Sequence, residues 1–426
     1  MNTFILRCAG GLLVAVVFGL AWYQAPSFEV ADFAIDSRAE PGAAQSSSLT
    51  RRFASSDMRD FVHSASLATL PDGALLAAWF AGTREGSADV QIRAAQFDAA
   101  TGQWSAERVL ATRIGTEQAV QKNIRKLGNP VIALSPDNRL WLFYVSVSVG
   151  GWAGSAINAM HSDDLGRTWS TPRQLLTTPF LNLSTLVRGA PVFHRDGSIG
   201  LPVYHEFMGK FAEYLYLNRD GKVLDKFRIS KGKHSLQPTV VAQDGRQAVA
   251  LLRYAGEQHH RVLASRTSDA GQTWSEPQPV EPSNPNSSLA AVGRSNGNLL
   301  VAMNDLEDGR FRLTLYETDA QLRNWRQVSQ LDESPDPWGD PVPPEVFRAL
   351  IGETWETVGA RQQQALEQTF FASVSQRMCE SGQCRFEYEY PYFARDAAGA
   401  YHLVYSWNDT FIKHVSFTDA WVEGQP

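Results

Sequence analysis

Ser162-Asp163-Asp164-Leu165-Gly166-Arg167-Thr168-Trp169 and Thr267-Ser268-Asp269-Ala270-Gly271-Gln272-Thr273-Trp274 carry one pattern, S/T-x-D-x-G-x-T-W, at two places in the chain. An apolar alternating run precedes each copy and Ser-x-Pro follows each. The Asp carboxylate can accept backbone N–H groups of its own tight turn, Gly permits a positive φ, and Thr-Trp restarts a strand with a large ring to bury. The octapeptide therefore predicts a hairpin turn that satisfies its own polar groups. Weaker echoes at 98–104 and 319–325 keep the aspartate and the tryptophan but lose the middle.

Outward from these turns the same device recurs. Pro71-Asp72-Gly73 separates two apolar runs, and Ser135-Pro136-Asp137-Asn138, Arg195-Asp196-Gly197, Gln243-Asp244-Gly245, Ser295-Asn296-Gly297 and Ala397-Ala398-Gly399 each stand before a short buried-type run. Six such units of turn and strand at blade-like spacing predict an all-β chain, a six-bladed β-propeller over residues 60–420. The length of 426 residues is compatible with one such body, since all-β chains run long as single units. One segment breaks the pattern. Residues 343–366 open with Pro343-Pro344-Glu345 and set Val346, Phe347, Leu350, Ile351, Trp355 and Val358 at helical steps, predicting a helical insertion. It either packs on the side of the propeller or serves as a lid, a membrane-lying helix or a partner-protein surface.

The composition is that of an ordinary globular protein, with 43% hydrophobic and 20% charged residues, and 12 Trp with 32 Gly suit many short strands. A net charge of −6 argues against a nucleic-acid partner, and it requires any anionic substrate to be met by a local cluster of arginines. Residues 8–23 form an apolar run after Arg7, with Trp22-Tyr23 at its edge. Residues 1–23 thus read as a cleavable signal peptide, cut after Ala21, or as an anchor keeping the body on the periplasmic side of the inner membrane. Residues 24–59, rich in Pro, Ala and Ser, read as a linker. Cys379 and Cys384 flank Glu-Ser-Gly-Gln; an exported body favours a disulfide between them, and metal binding is the competing reading. No metal cluster, phosphate loop or cofactor motif stands out.

The repeated octapeptide and the strands around it resemble the sialidase (neuraminidase) superfamily, and within it the bacterial sialidase-like BNR or Asp-box repeat proteins, over roughly residues 60–416. The resemblance implies that the boxes are scaffold on the face away from the site. It also assigns residues position by position. His63, in His63-Ser64-Ala65, replaces the first carboxylate-binding arginine. Glu85, on the loop 82–90, matches the acid/base position, with Asp89 in reserve. Gln237 stands where the family has the glutamate that polarises the nucleophile. Arg253 and Arg310 match the second and third arginines, Arg312 lies two residues on, and Arg188 is placed to restore the missing cation. Tyr390, nine residues before Gly399, matches the nucleophile. Glutamine is no base, so Glu206, closing the strand at Tyr204-His205-Glu206, is expected within hydrogen-bond reach of the Tyr390 hydroxyl, directly or through one water.

The chemistry accounts for these residue types. Arginine forks hold a carboxylate bidentately, as a 2-keto sugar acid requires, and a phenol approaches such an anion with less repulsion than a carboxylate nucleophile would. The acid must keep its proton near neutral pH, which partial burial of Glu85 would achieve. The resemblance thus implies an exo-glycosidase releasing a terminal ketosidic 2-keto-3-deoxy acid, sialic acid or Kdo, from a free or lipid-linked glycoconjugate without a cofactor. Two alternatives stay open: a non-catalytic propeller that binds acidic polysaccharide, and a polysaccharide lyase.

Overall fold

Six antiparallel sheets, each built on four strands, follow one another around a ring in the computed structural model, which describes residues 3–23, 29–35, 46–178, 182, 184–207, 209–232, 234–357 and 366–426. From the axis outward, blade 1 runs through Phe61–Thr69, Leu75–Gly82, Gln91–Asp98 and an edge of Gln103–Trp104 and Arg108–Ala111. Blade 2 comprises Lys126–Leu134, Leu140–Val147, Ser155–Ser162 and Arg173–Gln174. In blade 3, Leu186–Val187 and Val192–Phe193 share the inner position before Ile199–His205, Phe211–Leu217 and Val223–Arg228. Blade 4 is Ser235–Ala242, Ala248–Tyr254, Arg261–Thr267 and Gln278–Ser283, and blade 5 is Ala290–Gly293, Leu299–Met303, Arg312–Thr318 and Trp325–Glu333.

Blade 6 closes the ring from both ends of the chain. Its three inner strands, Tyr388–Arg395, Tyr401–Trp407 and Phe411–Phe417, are completed by Leu49–Phe53, which pairs antiparallel from Leu49 with Phe417 to Phe53 with Lys413. This corrects the reading of 24–59 as a linker. The compact body begins at Asp32, and Phe33, fully buried, forms a β-bridge to His194. The segment was illegible because it is amphipathic only in the company of blade 6: Phe53 stacks on Phe411 with ring centroids 4.4 Å apart and meets Trp407 at 5.3 Å. Phe53→Ala is expected to cost about 2 kcal/mol, below the full value for a buried Phe because the ring is half exposed, read as a lowered denaturant midpoint with an unchanged slope.

Packing follows the alternation of the strands. Middle strands such as Leu75–Gly82 and Leu140–Val147 are buried along their whole length because neighbouring blades cover both faces, so their sequences are nearly continuous apolar runs. Both octapeptides turn the third strand of a blade into its fourth. Asp164 accepts from the Thr168 amide at 2.8 Å and its hydroxyl at 2.6 Å, and Asp269 accepts from Thr273 at 2.9 and 2.6 Å. The Trp169 and Trp274 indoles donate back to the Gly166 and Gly271 carbonyls at 3.1 and 2.8 Å. The echo at 319–325 keeps this geometry without the motif's glycine: Leu322 takes the positive φ, 61°, and Trp325 donates to its carbonyl at 3.0 Å.

The helical insertion is longer than its periodicity suggested. Pro344–Thr357 is one helix and Glu367–Met378 a second; Val358 lies outside the described residues. Phe347, Ile351 and Trp355 form the buried stripe and pack with Phe370 and Val374 of the second helix against blades 5 and 6, while Val346 is exposed. Cys379 and Cys384 are disulfide-bonded across the two-stranded hairpin that follows. Residues 3–23 form a separate helix, Thr3–Tyr23, partly outside the side chains described; among the described residues no helix is long and apolar enough to cross a membrane.

Candidate active site at the mouth of the axial channel

One face of the ring receives the starts of the innermost strands and the ends of the second strands, and the octapeptide turns lie at the opposite face, where third strands end. On the site face four innermost strands are interrupted by the same fault. The register shifts between His63 and Ser66, Gly128 and Val131, Leu236 and Thr239, and Glu389 and Tyr392. Within each shift a non-glycine residue takes the left-handed conformation: Ser64 at φ 55°, Asn129 at 44°, Gln237 at 46° and Tyr390 at 52°. A bulge re-aims a side chain, and an L residue at positive φ is held only where its surroundings impose it. Gln237 and Tyr390 are thereby turned toward each other.

The Tyr390 hydroxyl is the meeting point. Gln237 Nε2 donates to it at 3.3 Å and Arg253 Nη1 at 3.5 Å, while Gln237 Oε1 accepts from the same Arg253 nitrogen at 3.2 Å. Two donors from different strands of blade 4 thus converge on one phenolic oxygen of blade 6. Asn286, which no motif flagged, fixes both arginines: its side-chain oxygen accepts from Arg253 Nε at 2.6 Å and its carbonyl from Arg310 Nη2 at 3.4 Å. Arg253 and Arg310 thus share Asn286 as an anchor, and with Tyr390 they border one cup on the site face. Arg312 does not join them, because Asp305 holds its Nε at 2.7 Å.

Three assigned residues take other roles than expected. His63 does not offer a nitrogen to a ligand; Nε2 lies 3.2 Å from Glu389 and Nδ1 3.6 Å from Asp409, with the ring against Tyr390 at 4.4 Å. Arg188 is only 3% exposed and lies behind Tyr390, its guanidinium 5.3 Å from both the Tyr390 and Tyr392 rings, donating to the Tyr390 and Pro391 carbonyls at 2.7 and 2.9 Å. It buttresses the bulge rather than clamping a substrate, and burial lowers its pKa to about 10. Asp89 belongs to its own loop, accepting from the Thr83 amide at 3.0 Å.

The carboxylates also differ from expectation. Glu85 is exposed and not partly buried as expected. Glu206 makes no direct hydrogen bond with Tyr390; the protein-side partners of that hydroxyl are Gln237 and Arg253. Its chain is pinned by Ser184, whose hydroxyl accepts from the Glu206 amide at 2.8 Å, and burial raises its pKa against the opposing charges of Arg253, Lys210 and Lys126. Lys126, unmarked by any motif, lies within the electrostatic reach of both Glu85 and Glu206 and rests 3.9 Å over the Trp152 ring. Glu389, also missed, accepts from Arg310 Nη1. Burial, and then the neighbouring Glu389 carboxylate, raise the pKa of Glu387.

This cluster carries a pH signature. Burial opposes charge on His63, but Asp409 and Glu389 overcome it and raise its pKa above 6.5. Despite burial, His63 and Arg310 lower Glu389 below its ordinary 4.5. A raised histidine stabilises fully below 6.5 and loses its contribution as pH rises through the folded value; a lowered glutamate stabilises above 4.5 and loses it as pH falls. The stability difference between the native chain and His63→Gln is therefore expected to be greatest between 4.5 and 6.5, and to shrink on both sides, as measured by thermal melts across pH.

The comparisons with known proteins agree with the fold. A family model described as a BNR repeat-like domain matches residues 73–403. No curated protein matches the chain in sequence. Among solved structures, the Hadza microbial sialidase Hz136 superposes with a TM-score of 0.59 at 14% identity, covering 84% of this chain and 66% of its own. The present chain thus spans just under two thirds of that relative. The intramolecular trans-sialidase of Ruminococcus gnavus, solved with oseltamivir carboxylate, gives 0.60 at 12% identity, covering 87% and 96%. A Dyadobacter fermentans protein of unknown function gives 0.61 at 11%, covering 89% and 100%. At these identities the likeness is one of fold.

Proposed function

Since the chain belongs to the sialidase-like BNR repeat superfamily, we propose that it is an exo-glycosidase that releases a terminal ketosidic 2-keto-3-deoxy acid, such as sialic acid or Kdo. The observation that carries this reading is the convergence of Arg253, Arg310 and the Tyr390 hydroxyl, from three different blades, around Asn286. Arginine forks suit a carboxylate on the anomeric carbon, and Tyr390 lies beside the atom that such a clamp would present.

In the proposed reaction the phenolic oxygen attacks the anomeric carbon as the bond to the aglycone oxygen breaks, and Glu85 gives that oxygen its proton. Glu206, whose carboxyl burial holds above its ordinary range, takes the phenolic proton through an intervening water. Water then attacks the glycosyl-tyrosine, restoring the phenol. Donors on the Tyr390 oxygen, Gln237 and Arg253, take over the charge-stabilising part of the missing glutamate's work. Glu206→Gln is expected to lower kcat by about 10²-fold while leaving ligand binding within a few-fold.

A non-catalytic propeller is the second reading, favoured by one observation: Gln237, rather than a carboxylate, faces the phenol. Incubating the full chain with sialosides and with Kdo-bearing lipopolysaccharide, then identifying released sugars by mass, separates the readings. A free keto acid supports the hydrolase, an unsaturated uronate absorbing in the ultraviolet a lyase, and binding without turnover a lectin. We also propose that residues 1–23 direct export or retain the body at the membrane, where lipid-borne glycans are presented.

A further inference from the structure

Beside the cup, the loop that carries Glu85 borders a cleft of about 620 Å³ whose walls include Gly86, Arg113, Arg125, Lys126, Gly150 and Gly151. Three cations in one cleft contrast with a chain of net charge −6. Arg113 ties the cleft together, donating to the Ala88 carbonyl at 3.2 Å and the Ile124 carbonyl at 3.0 Å, and its pairing with Glu117 at 3.4 Å accounts for part of its charge. Arg125 is exposed and forms no ion pair among the described residues, and Lys126 has none either. The floor is open: a Cβ on Gly150 or Gly151 would meet nothing within 4 Å. A Cβ on Gly86 would lie 3.4 Å from Lys126 Nζ, so glycine there lets the ammonium sit between the loop and the cleft.

Lys126 links the two places: its ammonium lies against Gly86 of the loop that carries Glu85, feels the charges of Glu85 and Glu206, and lines the cleft. We propose that this cleft is the aglycone subsite, and that it selects an aglycone carrying a carboxylate or phosphate on the sugar next to the scissile bond. The inference rests on the glycosidase reading for the word aglycone, but the anion site itself does not. An anion held by Arg125 and Lys126 would bring the leaving oxygen to the loop that carries Glu85. In a water-filled cleft of this kind the gain is in selectivity and is weakened by salt.

The anion site is tested by calorimetry of the full chain with inorganic pyrophosphate at low ionic strength. Saturable binding weakened at least tenfold by Arg125→Glu is expected; no saturable binding, or equal binding in the variant, overturns the proposal. In turnover, three glycosides of the same keto acid are compared, with a neutral aryl, a carboxylated-sugar and a phosphorylated-sugar aglycone. Arg125→Glu should raise KM about tenfold for one or both charged aglycones, which identifies the preferred anion, and leave the neutral glycoside unchanged. Equal KM changes for all three overturn the subsite. Failure to cleave any of them would instead defeat the glycosidase reading, while the pyrophosphate result stands by itself.

Discussion

Replacing Tyr390 by Phe is expected to lower kcat by about 10³-fold or more, some 4 kcal/mol of barrier, with the fold and keto-acid binding retained. The removed hydroxyl is the group on which Gln237 and Arg253 converge. Folding should be spared because the ring remains between His63 at 4.4 Å and Arg188 at 5.3 Å, which are contacts of the ring and not of the oxygen. Thermal melts and equilibrium binding of the free keto acid check that half of the expectation. A Phe variant with near-native turnover would show that the phenol is a packing residue and that the converging donors serve the ligand instead.

Arg253→Ala should be nearly as severe, with kcat/KM reduced by about 10²- to 10³-fold, the range for truncating one partner of a charge-assisted contact at about 2–5 kcal/mol. The proposed reaction gives the guanidinium two duties, and the two should separate in kinetics. Losing the carboxylate clamp raises KM; losing the donor to the phenolic oxygen, 3.5 Å away, lowers kcat. Lysine is expected to recover little, because a point charge cannot fork between Asn286, Gln237 and a substrate carboxylate at once. A variant changed in KM alone would confine Arg253 to binding and remove its part in stabilising the phenolate.

The propeller was legible because its signals are local. A turn such as Ser162–Asp164–Gly166 satisfies its own donors and acceptors within eight residues, so its sequence reports its shape wherever it stands. Leu49–Phe53 was illegible for the opposite reason: its partner strand lies over 350 residues away, and only closure of the ring gives its Phe53 a face to pack on. The second helix of the insertion is a similar case, its buried Phe370 and Val374 interrupted by polar positions that dilute the periodicity.

In the site, the residues set by strand position were found, and the roles set by side-chain direction were not. Arg253, Arg310, Gln237 and Tyr390 are brought together as their positions implied. His63 and Arg188 occupy the right neighbourhood but turn toward carboxylates and carbonyls instead of the cup, because buried cations take the nearest fixed acceptors. Asn286, Lys126 and Glu389 carried no signal of their own. The bulges that re-aim the innermost strands are a backbone property of the folded ring, and only the polar residues within apolar strands, Ser64, Asn129 and Gln237, hinted at them.

The central claim is that Tyr390 attacks an anomeric carbon held by the arginine pair. A 2,3-difluorinated keto-acid glycosyl fluoride, whose fluorine at carbon 3 slows departure from the protein, traps that step. After incubation with the full chain, intact mass and peptide mapping should find a single glycosyl adduct, on Tyr390, that is absent from Tyr390→Phe. An adduct on another residue, or an unmodified Tyr390 in a preparation that is nonetheless turning over substrate, would contradict it.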